Sequence, residues 1–182
     1  MLIQNNLFYL SIVYYLKTIP KYILLVSLKK AEICILSKYT SLFFLMYFFK
    51  KHTNTLVNVL TEICGADYPQ KHLRFEVIYN CISLKYNNKI RFKISVSEIM
   101  AVSSLYNLYL SSNWLEREVW DLFGIFFSEH SRLRRILTDY GFIGYPLRKD
   151  FPSIGFYEIR YSESLQKVIY EPLELTSYLR FV

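Results

Sequence analysis

The chain has 182 residues, 53% of them hydrophobic and 18% aromatic, with a formal net charge of +7. That length suits one compact domain with an appended arm, and Tyr (17) and Phe (14) so outnumber Gly (5) that folding leaves aromatic surface over for a protein or membrane contact. The basic balance favours anionic partners, while the uncharged runs Met1–Leu16 and Ile99–Leu115 fall short of the roughly 18 to 20 apolar residues that exclude or allow a spanning helix, and here exclude it.

Residues 1–20 carry no basic start, small-residue cleavage site or Arg-rich pattern, and predict an N-terminal helix or extension, not a cleaved leader. Residues 21–124 read as an α+β domain, a small mostly antiparallel or mixed sheet with helices on one face. "YILLVSL" and "EICILS" are strand-like and joined by Lys29 and Lys30. Thr40 or Ser41 caps a short helix through "LFFLMYFFKK", whose lysines suit its C-terminal end. "LVNVLTEICGAD" and "RFEVIYNCIS" are strands, the second imperfectly alternating and so expected to be covered on both faces. "YNNK" turns a hairpin into "IRFKISV", where Ile90, Phe92, Ile94 and Val96 alternate with Arg91, Lys93 and Ser95.

The clearest local signal is "SSNWLEREVWDLFG". Asn113 caps a helix and Glu116 reaches back to it as a capping box, Leu115, Val119, Leu122 and Phe123 form the stripe, and Gly124 supplies a left-handed stop. Residues 125–182 then form an extended C-terminal arm, dense in turns and alternating charge.

Four chemistries compete for this stretch. Glu118 and Asp121 share a helix face and could be an acid–base pair, but Arg132, Arg134, Arg135, Arg148 and Lys149 follow, and such cations keep carboxylates ionised. Gly141 and Gly144, with Pro146, suit turns rather than a phosphate cradle, since no Gly-Lys-Ser or Gly-x-Gly-x-x-Gly is present. Nucleic-acid binding through "RLRR" is opposed by Glu116, Glu118, Asp121, Glu129, Asp139 and Asp150 threaded among the bases. An internal ion-pair lattice fits best: Glu116, Arg117, Glu118 and Asp121 against Arg134, Arg135, Arg148 or Lys149. Cys34, Cys64 and Cys81 lie far apart with no C-x-x-C, so no metal or cluster site is expected from this chain, nor any catalytic residue.

From Glu116 to Leu137, "EREVWDLFGIFFSEHSRLRRIL" resembles the signature of the 30 kDa subunit of respiratory complex I, the bacterial NuoC type and the mitochondrially encoded NADH dehydrogenase subunit nine. The acids and bases of E-R-E, Asp121, His130, Arg134 and Arg135 ahead of an aliphatic pair are all in place. "LTDYGFIGYPLRKDFP" and "VIYEPLEL" extend the likeness to Leu175, and "ADYP" with "RFEVIYN" carries it back to about Ala66. The chain departs from the family at Ser131 and Arg132, where Pro and Asp are common, at Tyr145, where His is common, and at its short C-terminus.

The resemblance implies a non-catalytic core subunit of the peripheral arm, on the matrix side of the mitochondrial inner membrane and organelle-encoded. It would support NADH-to-quinone electron transfer by holding the quinone-site (49 kDa) subunit, while FMN, iron–sulfur clusters and ubiquinone reside in other subunits. An organellar, ribosomal-type nucleic-acid-binding protein is the alternative. In the leading reading Glu116, Arg117, Glu118, Asp121, Gly124, His130, Arg134, Arg135, Asp139, Gly141, Gly144, Pro146, Arg148, Lys149 and Asp150 shape the interface.

Overall fold

Alternate residues of Asn88–Val96 are buried while most of those between stay half-exposed, and this period of two sets the layers of the domain. In the computed structural model, which describes residues 19–29 and 32–174, that strand is the middle of a five-stranded sheet. Its strands are β1 (Ile23–Lys29), β2 (Glu32–Ser37), β3 (Val59–Asp67), β4 (Phe75–Ser83) and β5 (Asn88–Val96). Across the sheet the order is β1-β2-β5-β4-β3, mixed because β2 runs parallel to β5 while every other neighbour is antiparallel. The expected helix over residues 1–20 lies, as far as residue 18, outside the described residues, as does the chain beyond 174.

Register explains the core. Ile35 and Tyr79 flank Phe92 on neighbouring strands, and all three are fully buried, so an unbroken apolar row crosses the sheet. Two helices cover that face, as the sequence predicts. In α1 (Leu42–Lys51) the residues Leu42, Leu45, Met46 and Phe49 are buried at helical spacing, and the Phe49 ring meets Phe92 at 5.3 Å. Burying either ring contributes roughly 1.5–3 kcal/mol. Ser41 occupies the position before α1 but does not cap it; its hydroxyl is spent on the carbonyls of Tyr22 and Lys38 instead.

The second helix, α2 (Ser112–Phe123), lies on β3 at Gly65, where a Cβ would stand 2.6 Å from the Phe123 ring. Only a glycine lets helix and strand approach so closely.

The opposite face of the sheet mixes polar with apolar side chains and is half-exposed. Arg91 reaches Glu32 at 3.1 Å and donates to Asn80, which donates to Glu62. Cover on both faces of β4 is therefore not what forms: Phe75, Val77, Tyr79 and Cys81 are buried, while Glu76, Ile78, Asn80 and Ile82 are only half-buried. The cross-strand polar ladder does the job a second layer would have done. The tight turn before β5 places Asn87 at φ +50°, as its residue type permits.

Four short strands complete the description. β6 (Val102–Ser103) pairs in parallel with β7 (Phe127–Ser128), tying the start of the arm to the domain, and β8 (Tyr157–Ser162) pairs antiparallel with β9 (Lys167–Pro172) in a hairpin. No helix among the described residues is long and apolar enough to cross a membrane.

Candidate protein interface

Helix α2 turns two of its three acids, Glu116 and Asp121, inward. The expected capping box is absent: Ser111, not Asn113, precedes the helix, no side chain caps it, and the Ser111 hydroxyl bonds the carbonyl of Leu60. Glu116 is fully buried and accepts hydrogen bonds from the Ser104 hydroxyl at 2.6 Å and the Leu105 amide at 2.7 Å. Two donors already fixed in the core outcompete one solvated amide at the helix start. Burial pushes the Glu116 carboxyl up to about 7, against the opposing pull of those two bonds. His130 lies 3.9 Å away with its ring nitrogen near the carbonyl of Asn113. Burial holds the imidazole below its ordinary value, so near neutral pH the two are not a charge pair.

One turn and a half further along α2, Asp121 organises the arm. Its Oδ2 accepts the backbone N–H groups of Ile136, Leu137 and Thr138 at 3.0, 2.7 and 3.0 Å. Its Oδ1 accepts the Thr138 hydroxyl at 2.6 Å and the Arg135 guanidinium at 3.0 Å. Burial alone would raise its pKa, but the bonds from Thr138, Leu137 and Ile136 outweigh it and hold the carboxyl well below the usual range. A carboxylate so saturated stays ionised and offers no proton to a substrate. Arg135 continues to the carbonyl of Gly144 at 2.9 Å, a turn residue at φ +103°.

The arm then returns to cap the helix it left. The Leu147 amide donates to the carbonyl of Leu122 at 3.1 Å and Arg148 Nε to that of Phe123 at 2.6 Å, carbonyls that a helix end otherwise leaves without a partner. Gly124 makes this possible. Its φ is +74°, and a Cβ there would stand 2.6 Å from both Arg148 and Tyr145. The Arg148 guanidinium lies against Phe75 and Tyr145, at 5.1 and 4.4 Å from their ring centroids, and pairs with Glu98. Lys149 contributes its backbone N–H, 2.8 Å from Asp67 Oδ2. Buried Asp67 also takes Arg74 through both oxygens at 2.7 and 2.8 Å, and Arg74 reaches Asp150 at 3.0 Å.

Of the expected lattice, then, Asp121–Arg135 forms. Arg148 finds Glu98 instead of an acid on α2, and Glu116 binds neutral donors. Among the described residues Arg117, Glu118, Arg134 and the Lys149 ammonium make no ion pair. Asp67, Arg74, Glu98 and Thr138 do much of the fastening and were not singled out from sequence. Only Asp67 and Arg74, an acid and a base flanking one turn, left a local signal there.

Beyond Pro146 and Asp150 the surface turns apolar. Loop 138–146 and the β8–β9 hairpin enclose a groove of about 590 Å³ lined by Phe142, Ile143, Pro146, Phe156 and Ile159 among others. Ile143 is 76% exposed and the Tyr140 ring fully so. Asp139 fastens the two walls by accepting the Tyr170 hydroxyl at 2.9 Å, and Gly141 turns the loop at φ +73°. So much apolar area on an ordered arm marks a contact surface. The cysteines sit on three strands: Cys34 on β2, Cys64 on β3 and Cys81 on β4.

Residues 36–157 match the model of the family described as respiratory-chain NADH dehydrogenase, 30 kDa subunit. The chain is 52% identical over 140 residues to "NADH dehydrogenase [ubiquinone] iron-sulfur protein 3" of Solanum tuberosum, covering 77% of this chain and 74% of that one. It is 48% identical over 178 residues to the protein of that name from Marchantia polymorpha, covering 98% and 90%. It is 46% identical to "NADH-ubiquinone oxidoreductase subunit 9" of Reclinomonas americana, covering 91% and 81%. Among solved structures it is similar to the trypsin-resistant fragment (1–134) of Nqo5, with TM-score 0.59 and 26% identity over 68% of this chain and 98% of that one. A chain of an archaeal membrane-bound sulfane sulfur reductase shares the fold, with TM-score 0.67 and 20% identity over 78% of this chain and 84% of that one.

Proposed function

The chain belongs to the respiratory-chain NADH dehydrogenase 30 kDa subunit family, and from that premise we propose that it is a non-catalytic core subunit that holds the quinone-site (49 kDa) subunit in place. As a complex I subunit it serves NADH-to-quinone electron transfer. Its own contribution, in this reading, is mechanical: the arm of residues 134–172 is set in one shape by Asp121, Asp67 and the end of α2, and its outer surface docks the partner. The observation that carries the reading is the apolar groove between loop 138–146 and the β8–β9 hairpin, on an arm already fixed by buried carboxylates. A surface ordered before binding loses little entropy on docking, so more of its contact energy survives as affinity.

Flavin, clusters and quinone reside, in the same reading, on other subunits. The chain's three cysteines stand on separate strands, and Cys81 points into the core away from Cys34 and Cys64. The protein works on the matrix side of the mitochondrial inner membrane, bound through its partners.

Co-expression with the quinone-site subunit tests this. The native chain is expected to give a salt-resistant complex, and Ile143→Asp, at a largely exposed position, is expected to abolish it without lowering the chain's own Tm. A monodisperse chain that ignores the quinone-site subunit, or a complex indifferent to Ile143→Asp, refutes the reading. RNA binding that falls steeply with salt would favour a nucleic-acid role instead.

A further inference from the structure

We propose that Arg117 and Arg134 together receive a carboxylate side chain from the partner polypeptide, in a basic recess beside the apolar groove; this rests on the reading that the arm docks a partner subunit. The recess, about 770 Å³, is lined by Trp114, Arg117, Arg134, Arg135, Leu137 and Tyr140 among others. Its three guanidinium groups are not equivalent. The charge of Arg135 is met by Asp121 inside the protein. Arg117 and Arg134 make no ion pair among the described residues, and Arg117 Nε is buried with no hydrogen-bond partner there. A buried guanidinium N–H left unpaired costs free energy that an incoming acceptor would recover.

The acid already in the recess is Asp139, and its oxygens are engaged by the Tyr140 amide and the Tyr170 hydroxyl. Two guanidinium groups lining the recess, one half-buried and one exposed, therefore have no counter-ion among the described residues. The chemistry of the walls selects the occupant. Trp114, with Arg117 5.7 Å from its ring centroid, and the exposed Leu137 and Tyr140 make a lining that suits a polypeptide. Asp139 opposes any anion, a phosphate dianion about twice as strongly as a carboxylate monoanion, and the two guanidinium groups match the fork of a single carboxylate. A nucleic-acid backbone needs a track of cations, and here there are two. Residues 138–141 line both the recess and the apolar groove. One partner strand crossing the Tyr140 ring would thus place apolar side chains on one side and its acid on the other.

The test uses the assembled complex. With Arg134→Lys or Arg117→Lys in place, a zero-length carbodiimide joins the new amine to any carboxylate in direct contact, and peptide mass spectrometry identifies it. A cross-link to an Asp or Glu of the partner subunit is expected from each variant. Arg134→Glu, at an exposed position that leaves the fold intact, is expected to weaken the complex about tenfold at moderate salt, with the difference closing as salt is raised. A lysine that couples only to Asp139 of its own chain, or an Arg134→Glu chain with native affinity, overturns the proposal. So does an Arg134→Glu chain that keeps its partner but loses binding to RNA or to vesicles of anionic phospholipid. If the complex depends on Ile143 yet not on Arg134, the docking reading stands and this one falls. If the native chain holds no partner at all, both fall.

Discussion

Replacing Asp121 by alanine removes the acceptor for three backbone amides, the Thr138 hydroxyl and one guanidinium at once. Each amide left without a partner costs about 1 kcal/mol where water can reach it. Breaking a buried charge pair costs about 3–5 kcal/mol, and since the same groups enter both counts, 3–5 kcal/mol is the expected total. Asparagine hardly helps. It offers one oxygen and one amino group to a site in which donors converge on both oxygens, so one side faces donor against donor. The loss is local because these bonds tie the arm to α2 and leave the sheet core untouched. Hydrogen–deuterium exchange resolved at Ile136, Leu137 and Thr138 should therefore show protection falling about 10²- to 10³-fold, at 1.4 kcal/mol per tenfold, while amides of β4 and β5 keep theirs. The folded carboxyl titrates below its ordinary 3.8, so the stabilisation is present above that value and is lost as pH falls through the lower folded value. In the native chain protection of 136–138 should thus persist below pH 3.8, and in the variant it should be low at every pH. Native protection of these amides in Asp121→Ala would refute the account of the arm.

Glu116 gives the opposite pH signature: its folded value is raised from 4.5 to about 7, so its contribution is fully present below pH 4.5 and is lost as pH rises through 7. Thermal melts of the native chain should decline across that window, by at most about 3 kcal/mol, and those of Glu116→Gln should not. Gly124→Ala adds a Cβ at a left-handed φ against Tyr145 and Arg148, which should cost about 2–4 kcal/mol and lower Tm by several degrees. Asp67→Ala should strip Arg74 of its fork and free the amide of Lys149, so that limited trypsinolysis cuts after Arg148 or Lys149 sooner than in the native chain. Arg160→Ala, by contrast, breaks only a solvent-exposed pair with Glu171, and its melt should overlay the native one.

The strands and helices with strong period are legible in the sequence. Ile90 to Val96 alternate as only a half-buried strand does, and Leu42 to Phe49 repeat as only an amphipathic helix does. What could not be read was which polar group meets which. Glu116 has the spacing of a capping box and forms none, because the segment at Ser104 and Leu105 brings two donors into the core from outside the helix. Asp121 and Arg135 stand among the acids and bases expected to interlock, but sequence left their partners open, since Arg117, Arg132 and Arg134 lie nearer to Asp121 along the chain. Arg148 and Glu98 were not matched, because only the return of the arm across Phe75 makes them neighbours. The β8–β9 hairpin went unassigned although Tyr157, Ile159 and Tyr161 alternate with charged residues. Its apolar face is exposed and packs on no core, and the turn-rich, charge-dense chain around it reads as an irregular arm.

The bond between Asp67 and Lys149 spans 82 residues, and on a ribosome adding roughly 5–20 residues per second the two ends are made several seconds to a quarter of a minute apart. The nascent sheet thus sinks a carboxylate long before its distant donor exists. Arg74, emerging seven residues after Asp67, meets both of its oxygens and stays on them after Lys149 joins, so that the growing polypeptide needs no interval with a naked buried anion. The latch waits, charge-balanced, for the tail of the chain to be born.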